Sequence, residues 1–383
     1  MTSPAGAREL FRSRFGGTAD GVWFAPGRVN LMGEHTDYNE GYVLPFALGQ
    51  GIVAAAARRA DRRLVLCSAR EPGQVEVDLD RLAPGGVTGW AAYPAGVAWA
   101  LAAAGHEVPG AALAIDSGVP AGAGLSSSAA LECVTALALT ELAGPARDRR
   151  ELAAIARRAE NDFVGVPSGI MDQSASLLSQ AGHALLLDCR SLDSSQVPFD
   201  PAASRARLLL INTRVRHELT AGEYGRLRAE CERAARLLGV PSLRYLTDVA
   251  ELGRLTDPVL RRRARHVVTD DQRVLDVVAL LRSADGDVYA EIGRLLTQAH
   301  LSLRDDFEIS WPEADVAVEV ALAAGALGAR MIGGGFGGSV LALVREDGPV
   351  GAAVTDAFAR RGWTAPEVLV AAPSDSARRA GLQ

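Results

Sequence analysis

The stretch between residues 26 and 45 carries a dense run of hydrogen-bonding side chains. It reads PGRVNLMGEHTDYNEGYVLP, and its polar members are Arg28, Asn30, Glu34, His35, Asp37, Tyr38 and Asn39. Carboxylates accept hydrogen bonds from hydroxyl groups, whereas imidazole and guanidinium groups donate to oxygen, so this set suits a polyhydroxylated ligand. A polar hairpin loop with Asp and Asn as turn formers explains the same composition equally well.

A glycine- and serine-rich segment, VPAGAGLSSSAALECVTALAL (residues 119–139), is the second candidate for chemistry. Its glycines let the backbone approach a phosphate group closely, and the triplet Ser126–Ser128 opens an apolar helix whose N-terminus supplies free amides. The Ser128 hydroxyl is suited to bind a metal ion, as the last residue of a P-loop does. The simpler interpretation is that one serine acts as the helix N-cap. Three serines after Gly-Ala-Gly instead favour a phosphate-binding loop.

Two carboxylates within residues 151–176, Glu160 and Asp172, form the third candidate. At about 100° per residue, Glu160 lies at the rim of an apolar helix face. That face consists of Leu152, Ile155, Ala156, Ala159 and Phe163. Glu160 is therefore either a solvated surface residue or a metal ligand at the edge of a cleft. Asp172 follows a Gly/Pro/Ser turn and is either a general base or a helix N-cap.

The hexapeptide GGGFGG at residues 333–338 satisfies the pattern GxGxxG. In a dinucleotide-binding fold that pattern precedes a helix, with an acidic residue about 20 positions later. Here the strand-like run SVLALV follows at once, which excludes a dinucleotide enzyme. The sequence instead predicts a tight turn between two strands, close to a ligand or to another backbone.

Composition narrows the possible classes of protein. The chain has 383 residues, 48% hydrophobic and 22% charged, which is ordinary for a soluble globular protein of about two domains. All 40 basic residues are arginine. The absence of lysine excludes P-loop NTPases with a Walker A motif, protein kinases and enzymes that form a Schiff base through lysine. With a net charge of −6 and no basic block, no nucleic-acid partner is expected.

Several further patterns indicate the compartment. The four cysteines are far apart, no HxxxH pair occurs, the N-terminus has no apolar signal region, and apolar runs are broken well before about 18 residues. We therefore expect a cytoplasmic protein without disulfides, a zinc site or a membrane span. No segment indicates an obligate protein partner.

Periodicity predicts helices mixed with short strands in two α+β domains, residues 1–190 and 191–383. The predicted strands are Val22–Ala25, Ile52–Arg58, Leu64–Ser68, Val75–Leu79, Ala111–Asp116, Ala184–Asp188, Leu208–Asn212 and Val368–Ala371. The predicted helices are Trp90–Ala104, Ser127–Leu142, Asp148–Phe163 and Val354–Arg361, with further helix before Arg330. The polar, proline-containing run 191–207 is predicted to connect the two domains.

In this order, the segments closely resemble the GHMP small-molecule kinases. PAGAGLSSSAA resembles the phosphate loop of that superfamily, and GARMIGGGFGGS resembles its C-terminal glycine motif. Within the superfamily, GRVNLMGEHTDYNEGYVLP is similar to the galactokinase signature, and the resemblance runs from about residue 20 to about residue 345. It implies an N-terminal lobe like ribosomal protein S5 and a ferredoxin-like C-terminal lobe, with the site between them.

The resemblance also implies an activity: MgATP-dependent phosphorylation of D-galactose at its C1 hydroxyl, the first committed step of galactose catabolism. Asp172 matches the catalytic aspartate, and Arg28 matches the transition-state arginine. Ser128 and Glu160 match the magnesium ligands. The positions that match sugar contacts are Glu34, His35, Thr36, Asp37 and Tyr224. The positions that match nucleotide contacts are Ser68, Gly122, Ala123, Gly124, Leu125, Ser126, Ser127 and Ser128.

Some residues depart from the family pattern, and two alternatives stay open. Met32 replaces a usual isoleucine, Ser339 a common cysteine, and Trp311 a smaller residue. None of the three has a proposed catalytic role, and Trp311 is expected to alter the packing around it. One alternative is a kinase of the same family that acts on an N-acetylated hexosamine or arabinose. The other is a sugar- and ATP-binding sensor. An enzyme is favoured by the complete set of Arg28, Ser128, Glu160 and Asp172.

Overall fold

The structure is a computed structural model that describes residues 2–120, 122–215, 221–283, 287–345 and 348–381. Ala121, within the predicted phosphate loop, lies outside the described residues. The α-helices are α1 (Pro4–Phe15), α2 (Ala92–Ala103), α3 (Ser127–Ala143), α4 (Arg149–Arg158), α5 (Met171–Leu178), α6 (Ala221–Leu238), α7 (Pro258–Arg282), α8 (Tyr289–Asp305), α9 (Pro312–Ala323) and α10 (Val350–Arg360). The strands are β1 (Gly21–Asn30), β2 (Tyr42–Val43), β3 (Pro45–Arg59), β4 (Arg63–Ser68), β5 (Val75–Asp78), β6 (Gly110–Ser117), β7 (His183–Asp188), β8 (Ser194–Pro198), β9 (Ala206–Asn212), β10 (Gly328–Ile332), β11 (Ser339–Arg345), β12 (Glu367–Ala371) and β13 (Arg378–Arg379).

The first sheet has six strands in the order β13–β1–β3–β6–β4–β5, and only its β4–β6 pair is parallel. Side chains alternate between the two faces of a strand. In β3, Ala54 and Ala56 face the main core with α2 and α3, whereas Val53 and Ala55 pack with Phe11 of α1. Because helices cover both faces, the central strands are continuous apolar runs in the sequence.

The second sheet is antiparallel, in the order β10–β11–β9–β12. Leu208 and Leu210 of β9 join the main core with α8, whereas Ile211 joins a second core with α9 and α10. A third, small sheet has the order β2–β7–β8. The ends of these sheets bring the predicted chemical segments together, as described below.

Most of the predicted elements are confirmed, and one helix is shorter than predicted. The predicted helix Asp148–Phe163 is α-helical only to Arg158 and continues as a π-helical turn over Ala159–Val164. In that turn the Gly165 and Val166 amides both donate to the Glu160 carbonyl at 3.0 Å. Glu160 is only 6% exposed, so the alternative that it is a solvated surface residue is wrong. Such turns are frequent at functional sites.

The predicted connector 191–207 also needs correction, because it contains strand β8. Val197 of β8 is fully buried in the main core, and β8 pairs with β7 along five registered positions. Strand pairing therefore continues across the proposed domain boundary at residue 190. At the other end of the chain, β13 returns to pair with β1 in the first sheet.

Two predictions about the environment of the chain can be compared with the structure. Cys67, Cys133, Cys189 and Cys231 are all free thiols. Within the described ranges, no helix combines the length and the apolar character that crossing a membrane requires.

Candidate active site

A cleft between the loops of the two larger sheets gathers most of the predicted site residues. Its walls come from the end of β1 and the turn that follows, the loop before α3, the π-helical turn, the start of α5, the start of α6 and the glycine loop between β10 and β11. The predicted residues that line it are Arg28, Glu34, His35, Asp37, Gly124, Ser126, Glu160, Asp172 and Tyr224. Segments about 300 residues apart in sequence, from Arg28 to Gly334, therefore form one site.

Arg28 and Asp172 form a two-pronged ion pair in the cleft. The Arg28 Nε donates to Asp172 Oδ1 at 2.7 Å, and Nη2 donates to Oδ2 at 2.9 Å. The third guanidinium nitrogen, Nη1, donates to the Gly124 carbonyl at 2.8 Å. Burial opposes the charge of Arg28, but the carboxylates of Asp172 and Glu34 outweigh it and raise the arginine pKa. A permanent positive charge thus fixes the plane of the Asp172 carboxylate.

The alternative role of Asp172 as a helix cap is not supported by its position. Asp172 is the second residue of α5, and the N-cap residue Ile170 makes no side-chain cap bond. Asp172 Oδ2 additionally accepts a short hydrogen bond from the Ser126 hydroxyl. Both carboxylate oxygens therefore bind groups of the cleft, where a proton acceptor for a substrate is needed.

The predicted phosphate loop ends at an open helix N-terminus. Helix α3 begins at Ser127, and its N-cap Ser126 has φ 55° and makes no side-chain cap bond. The first amides of α3 are therefore free of a side-chain acceptor and can bind phosphate oxygens.

The C-terminal glycine motif packs directly against this phosphate loop. A Cβ atom on Gly333 would lie 3.2 Å from the Gly124 carbonyl oxygen, so a side chain there would crowd the loop. The Ser339 hydroxyl donates to the Ala123 carbonyl at 2.7 Å. The turn predicted from GGGFGG, between two strands of the second sheet, thus lies against the backbone of the phosphate loop and supports it.

Glu160 is a buried carboxylate next to the start of α3. Its Oε2 accepts hydrogen bonds from the Ser168 hydroxyl at 2.5 Å and from Gln173 Nε2 at 2.9 Å, and the Ser128 hydroxyl acts to lower the pKa of the carboxylate. Burial raises the pKa of Glu160, and the Asp172 charge raises it further. Among the described residues, no arginine is paired with Glu160. Within the described part of the chain, the carboxylate thus has hydrogen-bond donors but no arginine partner, and a cation bound beside it would favour its ionised form.

Ser128 and Glu160 are the two predicted metal ligands, and the chemistry of their oxygen atoms suits magnesium. Both offer hard oxygen donors beside the phosphate loop. In the described part of the chain, no group of three or more His, Cys, Asp or Glu side chains is arranged to hold a metal ion. Magnesium is usually held by one or two carboxylates together with substrate phosphates and water, so a complete protein cage is not required.

Glu34, which also lines the cleft, is held by residues of the second sheet and its glycine loop. It is 2% exposed, and its Oε1 lies 2.8 Å from Arg330 Nη2 and accepts a 2.8 Å hydrogen bond from the Gly333 amide. Burial raises the pKa of Glu34, although Arg330 and Arg28 both act to lower it. Arg330 is itself fully buried and donates to the Leu31 carbonyl at 3.1 Å.

His35, in the turn after β1, packs in a cluster of aromatic side chains. Its Nδ1 lies 2.9 Å from the Tyr38 hydroxyl, and its ring centroid lies 5.4 Å from Tyr224 and 4.8 Å from Phe307. Burial lowers the pKa of His35 to about 3, so the imidazole is neutral near pH 7. A neutral imidazole in this place can donate or accept a hydrogen bond with a sugar hydroxyl.

Asp37 is partly buried, and its carboxylate lies close to the backbone of the opposite loop. A Cβ atom on Gly169 would lie 1.8 Å from Asp37 Oδ2, so only glycine is compatible with this approach. Burial raises the pKa of Asp37 to about 6, and the nearby charge of Asp172 contributes to the rise. The carboxylate is thus placed between the turn and the catalytic candidate.

The structure places the remaining predicted residues outside the lining of the cleft. The Thr36 hydroxyl lies within 2.9 Å of the Gly33 carbonyl and 2.7 Å of the Tyr42 carbonyl, so it braces the turn. Ser68, at the end of β4, accepts a hydrogen bond from the Arg70 amide at 3.1 Å. The residues Gly122, Ala123, Leu125, Ser127 and Ser128 also lie outside the lining, within the phosphate loop or at its helix.

Sequence reasoning missed several residues that hold the site together. Arg330 is the one charged side chain in the apolar strand GARMI, and a buried charge of this kind requires a partner, which was an available signal. Gln173 donates to both Glu160 and the fully buried Glu132, each at 2.9 Å. Glu132 interrupts an apolar helix in the same way as Arg330 interrupts its strand. Burial raises its pKa well above the usual range.

The fold and the site together define a GHMP kinase. The family signature "GHMP kinases N terminal domain" matches residues 92–180, which span the phosphate loop, Glu160 and Asp172. "GHMP kinases C terminal" matches residues 279–360, which include the glycine motif. A crystal structure of Methanococcus jannaschii mevalonate kinase has the same fold, with a TM-score of 0.68 and 16% identity over 94% of this chain and 99% of that one.

Closer similarities specify the family. The "Galactokinase galactose-binding signature" matches residues 9–58, which include the turn with Glu34 and Asp37. A galactokinase from Streptomyces coelicolor is 55% identical over 97% of both chains, and one from Bos taurus is 45% identical over 89% of this chain and 88% of that one. A crystal structure of Lactococcus lactis galactokinase complexed with galactose has a TM-score of 0.93 and 33% identity, covering 99% of this chain and 100% of that one. The chain belongs to the galactokinase family.

Proposed function

We propose that the protein transfers the γ-phosphoryl group of MgATP to the C1 hydroxyl of D-galactose, giving galactose 1-phosphate and ADP. The observation that carries the proposal is the Arg28–Asp172 pair, which joins the turn with the galactokinase signature to the phosphate loop. A sugar hydroxyl beside Asp172 would face a phosphate held at the start of α3. The residues of both substrates' sites therefore converge on one carboxylate.

The chemistry of the step follows from this placement. As the bond between the sugar O1 and the γ-phosphorus forms, the bond from that phosphorus to the β–γ bridging oxygen breaks, and ADP keeps the electron pair. Asp172 accepts the proton of the C1 hydroxyl. Arg28 stabilises the negative charge that is shared between Asp172 and the transferred group. Phosphoryl transfer depends mainly on such positioning and charge stabilisation.

The other residues have binding roles in this proposal. The α3 amides and the loop Gly122–Ser128 hold the phosphates, with Ser68 on the nucleotide side. Ser128 and Glu160 would hold Mg²⁺, which supplies charge neutralisation on the phosphates when it is bound. Galactose hydroxyls bind the turn and α6 through Glu34, His35, Asp37 and Tyr224, with Thr36 holding the turn. We also propose a cytoplasmic location, which the four free thiols support.

The experiment that tests the proposal is ADP release across a panel of sugars at fixed MgATP. We expect galactose to exceed glucose greatly in kcat/KM, because groups arranged for an axial O4 lose their partners when O4 is equatorial. Comparable values for the two epimers would refute the proposal. A strong preference for N-acetylgalactosamine or arabinose would assign the chain a different sugar, and sugar-independent ADP release would remove the kinase role.

A further inference from the structure

Helix α7 does not line the cleft, yet its side chains bind the backbone of the turn that carries Glu34 and His35. Asp270 Oδ2 accepts hydrogen bonds from the amides of Gly33 and Glu34, both at 3.1 Å. His266 Nε2 lies 3.0 Å from the Glu34 carbonyl oxygen. The two peptide groups that flank the Glu34 side chain are therefore both held by α7.

The far end of the same turn is held in the same way. Asp271 Oδ1 accepts a hydrogen bond from the Tyr42 amide at 2.7 Å. Gly41 leaves room for this carboxylate, because a Cβ atom there would lie 2.3 Å from Asp271 Oδ1. Three side chains of one helix thus bind both ends of the turn 33–42.

The holding groups are themselves fixed and buried. Asp270 and His266 are fully buried, and Asp270 Oδ1 lies 3.0 Å from Arg273 Nη1. His266 Nδ1 lies 3.0 Å from the Ser302 hydroxyl on α8. Because a carbonyl oxygen only accepts, His266 must donate through Nε2, and the Ser302 hydroxyl lies within hydrogen-bond distance of both His266 Nδ1 and Asp306 Oδ2. Both side chains are therefore held in one orientation.

The turn needs such support because its backbone conformation is unfavourable. His35 has φ 60°, a left-handed value that residues other than glycine adopt rarely. Strained residues of this kind persist only where the surrounding structure determines them. His35 follows directly after the peptide groups that Asp270 and His266 bind.

We propose that His266 and Asp270 are positioning residues of the sugar site, which hold the Glu34 and His35 side chains in their galactose-binding geometry before the sugar arrives. The proposal rests on the proposed function, since it assigns galactose to the cleft. It extends the site to a helix that is not among the elements that line the cleft. The plainer alternative is that α7 contributes only packing between the two halves of the chain.

The test compares His266→Leu with His266→Gln and with Val277→Ala. Leucine removes the donor to the Glu34 carbonyl, whereas the glutamine amide nitrogen can replace Nε2. Val277 is a fully buried residue of the same helix, and its truncation reduces stability without removing a hydrogen bond to the turn. Galactose and ADP affinities are measured separately by calorimetry, together with the melting temperature and kcat.

We expect His266→Leu to raise the galactose Kd at least about tenfold and to leave the ADP Kd within about threefold, as the loss of one buried hydrogen bond predicts. His266→Gln should stay within about threefold of the wild type, and Val277→Ala should change neither affinity. An unchanged galactose Kd in His266→Leu would overturn the proposal. So would equal losses for galactose and ADP, because these indicate a packing role.

A second measurement keeps the proposal falsifiable if the leucine variant is unstable or if the wild type binds no galactose. Ser302→Ala removes the partner of His266 Nδ1 and leaves the turn itself unchanged. In the absence of ligand, its hydrogen exchange should become faster in a peptide covering residues 30–44, and more so than in Val277→Ala. Unchanged exchange there would overturn the positioning role. Absence of galactose binding in the wild type would instead refute the proposed function alone.

Discussion

The two sides of the cleft are built from different kinds of interaction. On the proposed sugar side, the turn is held by residues far away in sequence: Asp270 and His266 bind its backbone, and Arg330 binds Glu34. On the proposed phosphate side, α3 begins without a side-chain cap, and Glu160 has no paired arginine among the described residues. The backbone of the first side is held by distant protein groups, while the second side offers helix amides and a carboxylate to its ligand.

This difference corresponds to what each ligand requires. Sugar epimers differ only in the direction of a hydroxyl group, so discrimination needs partners that are held rigidly before binding. A nucleotide phosphate brings strong charge and its own metal ion, so free amides and one buried carboxylate are sufficient. The predictions below test this division, starting with Asp172, where the two sides meet.

Asp172→Asn should have the largest effect. The substitution keeps the size of the side chain but removes the ability to accept a proton, so kcat should fall by about 10²- to 10⁴-fold. KM for galactose should change little, because the amide oxygen can still bind a sugar hydroxyl. Steady-state kinetics and the melting temperature together test this prediction. Turnover within about threefold of the wild type would show that Asp172 is structural.

Asp37→Ala should affect the sugar side alone. Loss of hydrogen bonds to a charged carboxylate costs about 1.5 to 3 kcal/mol, which corresponds to a rise in galactose KM of roughly 10- to 150-fold. The KM for ATP should stay near the wild-type value. The kinetics are measured with each substrate varied in turn, and a parallel rise in both KM values would contradict the division of the cleft.

Glu160→Gln should affect the phosphate side. With ATP fixed and Mg²⁺ varied, the Mg²⁺ concentration for half-maximal rate should rise at least about tenfold, since even indirect partners of a metal contribute this much to affinity. Asp162→Asn is the matched control, because Asp162 is exposed in the same π-helical turn. If both variants need the same Mg²⁺ concentration, Glu160 is not a metal ligand.

The smallest effect concerns stability and pH. Asp37 has an ordinary pKa of 3.8, and burial raises it to about 6 in the folded chain. As pH rises from about 4 to about 6, the unfolded chain loses this proton first, so the folded state loses stability across that interval. Asp37→Asn has no such proton to lose. Its free energy of unfolding relative to that of the wild type should therefore be higher at pH 7.5 than at pH 4, by roughly 1 to 3 kcal/mol. We expect a value near the lower end because the residue is partly exposed.

Urea unfolding of both proteins at the two pH values measures this gain. The difference between variant and wild type is informative, because other titrating groups contribute equally to both. A constant difference across the interval would show that burial does not shift the pKa of Asp37.

Local sequence patterns predicted much of the fold. The apolar run of β3 and the series of serines at the start of α3 are local signals, and both elements are present in the structure. The approach of Gly333 to Gly124 was predicted only as a turn close to some backbone or ligand, because no local pattern identifies the other partner. Strand β8 was missed, since its polar residues and proline resemble a connector and only Val197 is fully buried.

The candidate site shows the same limit. Residues with reactive or ionisable side chains, such as Asp172 and Glu160, were predicted as site residues, although their hydrogen-bond partners were not. His266 and Asp270 lie four residues apart on one face of α7, which is a recognisable helical pair. Their function depends on contacts with Glu34 across 232 and 236 positions, and no periodicity in the sequence reports such contacts.

The same separation has a consequence for how the chain becomes active during its synthesis. Ribosomes add about 5 to 20 residues per second, so the 232 positions between Glu34 and His266 correspond to roughly 10 to 50 s. For most of that interval, once residue 58 has been added, the nascent chain already contains the whole galactose-binding signature but lacks helix α7. We therefore expect a ribosome-bound fragment ending before α7 to show little affinity for galactose, and the sugar to become a folding ligand only after that helix has emerged.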